Sequence, residues 1–402
     1  MITLDPHANT SESALPLFSA EHDAYREAAR AFVAGEITPH VEEWEAARDF
    51  PREVFRLVGD AGHFGAKFDP RWGGSGPDPV AAAIWCEELA RCGSGGVGAD
   101  LGAHSELACV YVDRAGTDEQ KQQWLVPSVT GEVIGGLGIT EPDAGSDVNG
   151  IRTRAVRDGE DWILNGSKVF ITNGAWADYV VVAAKTDTAS DAGHRGMTLF
   201  IVDTTTPGFE ARRMKMAGWR TSHTGELSLT DVRVPDDQRL GDEGAGFYAI
   251  MQNFAWERLF MSLGAVIAAE EGLQAAIAYG REREAFGRPV GSFQVWKHRF
   301  ADMATQIELG RALTHHALRL HTAFQAGEEV DQTELLRATS MAKLHTQRMA
   351  HHVADECVQI HGGNGYLMEF PAQRFWRDTR LGPIGGGTDD IMREIIAGTY
   401  GL

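Results

Sequence analysis

Residues 161–174 read DWILNGSKVFITNG, and the fold class turns on how this stretch is understood. Trp162-Ile163-Leu164 and Lys168-Val169-Phe170-Ile171 are short strand-forming runs. Asn165-Gly166 between them is a two-residue hairpin signal, since both residues tolerate the positive φ of such turns. DYVVVAAKT, MTLFIVD and GELSLTDVRVP follow, each β-branched and bounded by Gly, Asn, Asp or Pro. Residues 132–240 are therefore expected to form an antiparallel sandwich or barrel. On the N-terminal side, HDAYREAARAFVAGEI, REVFRLVGDAG and PVAAAIWCEELARC repeat apolar residues at three- and four-residue spacing, so residues 1–131 read as helical. On the C-terminal side, residues 241–402 return to long helices that are apolar around much of their circumference, as in a bundle or a subunit interface. The expected class is α+β: a helical domain, a β domain and a helical bundle.

The 402 residues are 43% hydrophobic and 23% charged, an ordinary globular composition with enough length for self-sufficient cores. A formal net charge of −20 repels polyanions and argues against nucleic acid as the primary partner. No run approaches the ~20 uninterrupted apolar residues of a membrane span. The first residues carry Asp5, Glu12, Glu21 and Asp23 and lack a basic region followed by an apolar core, so a cytoplasmic location is the simplest expectation. Cys86, Cys92, Cys109 and Cys357 show no Cys-x-x-Cys spacing, and the 15 histidines form no ligand motif, so neither disulfides nor a metal site is expected.

Three motifs bear on chemistry. Gly93-Ser94-Gly95-Gly96-Val97-Gly98 fits G-x-G-x-x-G, but a helix precedes it where a dinucleotide loop needs a strand, so it reads as a helix end and loop. Glu257 falls in line with Phe247, Ile250, Phe254, Met261, Gly264 and Ala268, a single carboxylate in an apolar helical row. A desolvated carboxylate there is a better general base than an exposed one, while a structural ion pair with a distant arginine is the plain alternative. The loops Ile139–Asp147 and Gly385-Gly386-Gly387-Thr388 offer hydroxyls and open backbone N–H groups to a polar ligand or phosphate.

In order and spacing, ITEPDAGSD, LNGSKVFITNG, REREAFGRPV with SFQ, VQIHGGNGY and RDTR…GGGT…IMR resemble the acyl-CoA dehydrogenase family over nearly the whole chain. The resemblance implies a helical N-domain, a β-barrel-like middle domain and a C-terminal four-helix bundle, with FAD between the last two. It implies flavin contacts at Thr140, Gly145, Ser146, Phe170, Thr172 and Thr388. Arg283, Phe286 and Gln294 match positions that reach the FAD of a neighbouring subunit, and Gln359, Gly362 and Gly363 match another flavin-contacting turn. It further implies an acyl-CoA substrate contacted at Ser146 and Arg258, a homotetramer, and an electron-transfer flavoprotein as acceptor.

One departure shapes the catalytic reading. Many members carry their base immediately before the Gly-Thr of the terminal loop, where this chain has Gly386. The isovaleryl and long-chain types resemble it in placing a Glu-Arg-Leu on the first C-terminal helix, here Glu257-Arg258-Leu259. The resemblance thus implies that Glu257 takes the α-proton while the backbone N–H of Gly386 supports the enolate oxygen. The small residues of the terminal loop suit a branched chain, whereas the tail looks more like the long-chain type, so a medium- to long-chain substrate is expected. Two alternatives share the fold: a flavin oxidase or monooxygenase resembling nitroalkane oxidase, and a non-catalytic acyl-CoA-binding relative.

Overall fold

The computed structural model describes residues 17–187 and 193–402. The N-terminal acidic residues Asp5 and Glu12, on which the location expectation draws, lie outside the described residues. The first part of the chain is helical: Ala20–Phe32 (α1), Val41–Ala47 (α2), Glu53–Asp60 (α3), Pro79–Ala90 (α4), Gly95–Gly102 (α5), Cys109–Ala115 (α6), Asp118–Gln120 (α7) and Val126–Val129 (α8). Local chemistry sets these ends. The Asp78 side chain accepts from Val80 N and Ala81 N at the start of α4, with Pro79 in the first turn. Gly93, at φ +82°, follows α4, and Ser94 then caps α5 through Val97 N. The G-x-G-x-x-G match is accordingly a helix–loop–helix junction.

The middle part is one sheet of Gly135–Gly138 (β1), Arg154–Asp158 (β2), Asp161–Ile171 (β3), Tyr179–Lys185 (β4), Met197–Asp203 (β5), Phe209–Arg213 (β6), Gly225–Pro235 (β7) and Arg239–Leu240 (β8). Its order is β6-β7-β3-β2-β4-β5-β8, with β1 beside β4. The expectation of an antiparallel sheet needs correction. β1 runs parallel to β4, with Gly135 opposite Tyr179, and β2 meets β4 in parallel at Arg154–Lys185. A parallel pair needs a long crossover, which the chain between β1 and β4 provides, and local strand patterns carry no trace of it.

The Asn165-Gly166 hairpin is also corrected. β3 runs unbroken through both residues, and the tight turn lies earlier, between β2 and β3 at Gly159, where φ is +65°. Asn165-Gly166 is a bulge, with the register against β7 shifting between Leu164 and Gly166. A Cβ at Gly166 would collide with Thr153, and φ there is +156°. β3 is paired on both sides, so the freedom of Asn-Gly is spent on a kink within the strand and not on a reversal.

Three long helices follow: Gly246–Glu282 (α9), Gln294–Gln325 (α10) and Gln332–His361 (α11). The small hairpin Glu284–Ala285 (β9) and Arg288–Pro289 (β10) joins α9 to α10, and the short helices Pro371–Thr379 (α12) and Asp389–Thr399 (α13) pack on α11. By length and composition α9 could cross a membrane, with a mean hydropathy of 1.2 over its best window. It lies against α4, α10 and α11, where Leu259, Leu263, Val266 and Ala269 are buried. The four cysteines are free and buried.

Candidate active site

Glu257 enters the site from the middle of α9. Phe254, Glu257, Met261, Gly264 and Ala268 are only half-buried, whereas their helix neighbours Trp256, Arg258, Leu259, Leu263 and Ala265 are buried. The row predicted from spacing therefore fronts open space more than packed side chains. The Glu257 carboxylate makes no hydrogen bond or ion pair with any described residue, which sets aside the structural ion pair. Burial raises its pKa above the ordinary 4.5, against the pull of the charges on Arg258 and Lys343. Arg258 is itself buried, lies over the Phe254 ring at 5.4 Å and leaves its Nε without a partner; burial lowers its pKa while Glu257 raises it. The Tyr111 hydroxyl is buried under α9, where burial together with the Glu257 charge pushes it far above the usual phenol range against a counter-pull from Asn253.

Gly386 comes to the same place from the other end of the chain. A Cβ built there would lie 3.7 Å from Glu257 Oε1 and would collide with Met261 Sδ. Its φ of +61° further disfavours a side chain. Its N–H donates to no described group, so it is free for a ligand. Thus the two positions that the sequence sets 129 residues apart in the chain are brought together in one corner.

A cavity of about 480 Å³ starts beside this corner. Met261, Gly264, Ala268, Gly272 and Ala275 line it along α9, with Leu89 of α4, Ala99 of α5, Trp219 and Phe375 as apolar walls and Arg91, Glu271 and Asp378 adding charged groups. Met261 to Ala275 spans about 21 Å of helix at 1.5 Å per residue.

The remaining predicted residues gather in two patches. On the sheet, Val169 N donates to Thr140 O at 2.9 Å, which sets Thr140 beside Phe170 and Thr172. Phe170 is 60% exposed at φ +60°, and Gly145 and Ser146 are exposed on the adjoining loop. That loop is held by Lys168, fully buried, whose Nζ bonds Glu141 Oε1 at 2.7 Å and Ile139 O at 3.0 Å. The second patch lies where α9 ends and α11 ends: Arg283, Phe286 and Gln294 around the β9–β10 hairpin, and Gln359, Gly362 and Gly363 at the end of α11. Phe286 is 95% exposed. Thr388 caps α13, accepting from Ile391 N at 3.3 Å.

Comparison with known proteins bears on this geometry. Residues 19–132, 136–232 and 244–400 match the family profiles of the acyl-CoA dehydrogenase N-terminal, middle and C-terminal domains. The chain belongs to the acyl-CoA dehydrogenase family. The long-chain specific acyl-CoA dehydrogenase of Sus scrofa mitochondria is 40% identical over 95% of this chain and 86% of that protein. A probable acyl-CoA dehydrogenase from Mycobacterium abscessus superposes with a TM-score of 0.90 at 39% identity, covering 96% of this chain and 100% of that one. A glutaryl-CoA dehydrogenase from Mycobacterium smegmatis, solved in complex with FADH2, superposes at 0.87 with 32% identity, covering 96% and 95%. Relatives of short-chain and isovaleryl specificity stand at 36% and 35% identity, so likeness alone does not select the acyl group.

Acyl-CoA dehydrogenases are flavoprotein oxidoreductases, and the residues of this member fit a flavin. A Cβ at Gly145, Gly362 or Gly363 would meet nothing within 4 Å, so the backbone there is open to a ligand, and the exposed ring of Phe170 offers a flat apolar face. The sequence reading missed Lys343. It is fully buried on α11, and its Nζ bonds Gly382 O at 2.8 Å and Gly387 O at 2.5 Å. The signal was present: Lys343 shares a helical row with Thr339, Thr346 and Ala350, all buried, just as Glu257 interrupts its own row.

Proposed function

We propose that the protein is an FAD-dependent acyl-CoA dehydrogenase of the long-chain type, forming a trans-2-enoyl-CoA with Glu257 as the base. The observation that carries the reading is the 3.7 Å between Glu257 Oε1 and the point where a side chain at Gly386 would begin. The helix carboxylate thus lies beside the loop position from which a base would spring in many members of the family that the sequence resembles. FAD, when bound, supplies the acceptor for the β-hydride. Glu257 would take the α-proton, and its raised pKa brings it nearer to the operating pH of a general base. The free N–H of Gly386 would hold the thioester oxygen as charge develops on it, with the buried Arg258 guanidinium adding positive field and Ser146 meeting the CoA side. The apolar walls at Met261 and Gly264 would keep water from the acyl chain.

The cavity supports the long-chain reading. An extended chain advances about 1.2 Å per bond, so the 21 Å run along α9 corresponds to about 17 bonds of an alkyl tail. The patch of Arg283, Phe286 and Gln294 matches positions that reach a neighbouring subunit's cofactor in the family, which supports a homo-oligomer such as a homotetramer, and an electron-transfer flavoprotein would be the electron acceptor. Anaerobic titration with straight and branched acyl-CoAs from C4 to C18 tests the reading: long straight chains should bleach the oxidised flavin band. Glu257→Gln should keep FAD and lose about 10²–10⁴ in bleaching rate. A yellow protein that no acyl-CoA bleaches would reject the dehydrogenase reading.

A further inference from the structure

The segment Gly385-Gly386-Gly387 has no side chains with which to fix itself, and φ is positive at both Gly386 and Gly387. Three consecutive glycines give a backbone wide freedom unless something outside it holds it. Part of the hold is local, since Ile384 N and Gly385 N both donate to Leu381 O and Asp389 N donates to Pro383 O. The rest comes from α11, where the Lys343 ammonium bonds the carbonyl oxygens of Gly382 and Gly387, on either side of Gly386. Among the described residues no carboxylate lies within ion-pair distance of Lys343, so a desolvated cation is kept here for two carbonyl groups. Packing alone does not account for that cost, because an apolar chain of similar length would fill the volume without it.

The charges facing this ammonium are few. From α9 come Glu257 and Arg258, and from α13 comes Asp389, which is already engaged by Arg348 at 3.4 Å. Tyr111 faces Glu257 from α6. We propose that Lys343 is a positioning residue: its clamp on Gly382 and Gly387 sets the Gly386 N–H opposite Glu257, and its charge favours the ionised carboxylate and the developing enolate. This rests on Glu257 as the base. The ammonium does not touch the substrate; it acts through the loop and through the field, where fixed charges in a dry site weigh more than they would in water.

The test uses the FAD-loaded enzyme and palmitoyl-CoA, following anaerobic flavin bleaching by stopped flow across pH. Lys343→Met should keep the flavin spectrum, slow the limiting rate by more than about tenfold with little change in the half-saturating substrate concentration, and move the acid limb of the profile to higher pH. The sign follows from removing a cation beside a carboxylate, which raises its pKa. Lys343→Gln, which can still donate to a carbonyl but carries no charge, should recover part of the rate and keep the shifted limb. An unmoved limb in both variants, or failure of both to give a flavoprotein, would overturn the proposal in favour of a purely structural lysine. Glu257→Gln separates the two readings. If it bleaches at the normal rate, the base assignment and this inference fall together; if it is inert while the Lys343 limb stays in place, only this inference falls.

Discussion

Glu257 occupies a place in which a neutral side chain would stabilise the fold. Its carboxyl is desolvated and unpaired, so its pKa in the folded protein lies above the ordinary 4.5. Between those two values the folded state holds a proton that the unfolded state has lost, and stability falls as pH rises through that window. Glu257→Gln lacks this penalty. Thermal unfolding of the holoenzyme should therefore show the variant more stable than the parent at pH 7, with the difference disappearing below about pH 4.5. Equal melting temperatures at pH 7 would mean that the carboxylate carries no net desolvation penalty in the holoenzyme. The same desolvation makes activity rise with pH as Glu257 ionises. Glu257 was legible from sequence because an acidic residue in a helical row of apolar ones announces itself by spacing alone. Lys343 breaks its row in the same way, yet its meaning depends on the carbonyl groups of a loop about 40 residues further on, and no periodicity within α11 reports those.

Strands and loops gave up less to a reading by pattern. The β character of DWILNGSKVFITNG was plain, but whether Asn-Gly reverses a chain or kinks it depends on whether the strand is paired on one edge or two. β3 is paired with both β2 and β7, and so it bulges. The loop carrying Gly145 and Ser146 shows a further dependence on neighbours. Glu141 accepts from Arg152 N at 2.6 Å, from Thr153 N at 3.0 Å and from Lys168 Nζ at 2.7 Å, so one buried ion pair fastens this loop to β3. Removing one member of a buried pair leaves the other uncompensated, at a cost of about 3–5 kcal/mol. Lys168→Met should thus lower the unfolding temperature and, by loosening the loop at Thr140–Ser146, weaken FAD binding. Equilibrium dialysis of FAD against the purified variant measures the second effect directly. Unchanged FAD affinity in a destabilised protein would show that the loop keeps its shape without the clamp.

At the scale of the whole molecule, three parts legible by texture meet in ways that texture cannot report. The helical, β and helical thirds follow from periodicity and turn residues, but the parallel entry of β1 beside β4 and the cavity between α4, α5, α9 and α12 arise only from assembly. That cavity is where substrate choice should reside. Small residues on α9 leave its floor open: Gly264, Ala268, Gly272 and Ala275 carry at most a methyl group each. Ala268 lies seven residues beyond Met261, about 10 Å down the helix axis, or eight to nine bonds of extended chain. A phenylalanine at that point would fill the passage but leave the corner at Glu257 and Gly386 untouched. Forcing a chain past such a ring costs about 1–3 kcal/mol, corresponding to a fall of about 5- to 150-fold. In Ala268→Phe the ratio of kcat/KM for palmitoyl-CoA to that for butyryl-CoA should drop by that factor, with butyryl-CoA itself little affected. Equal loss on both substrates would mean that the ring disturbs the corner. An unchanged ratio would mean that the acyl chain leaves the corner by another route, and the long-chain reading would then lose its structural support.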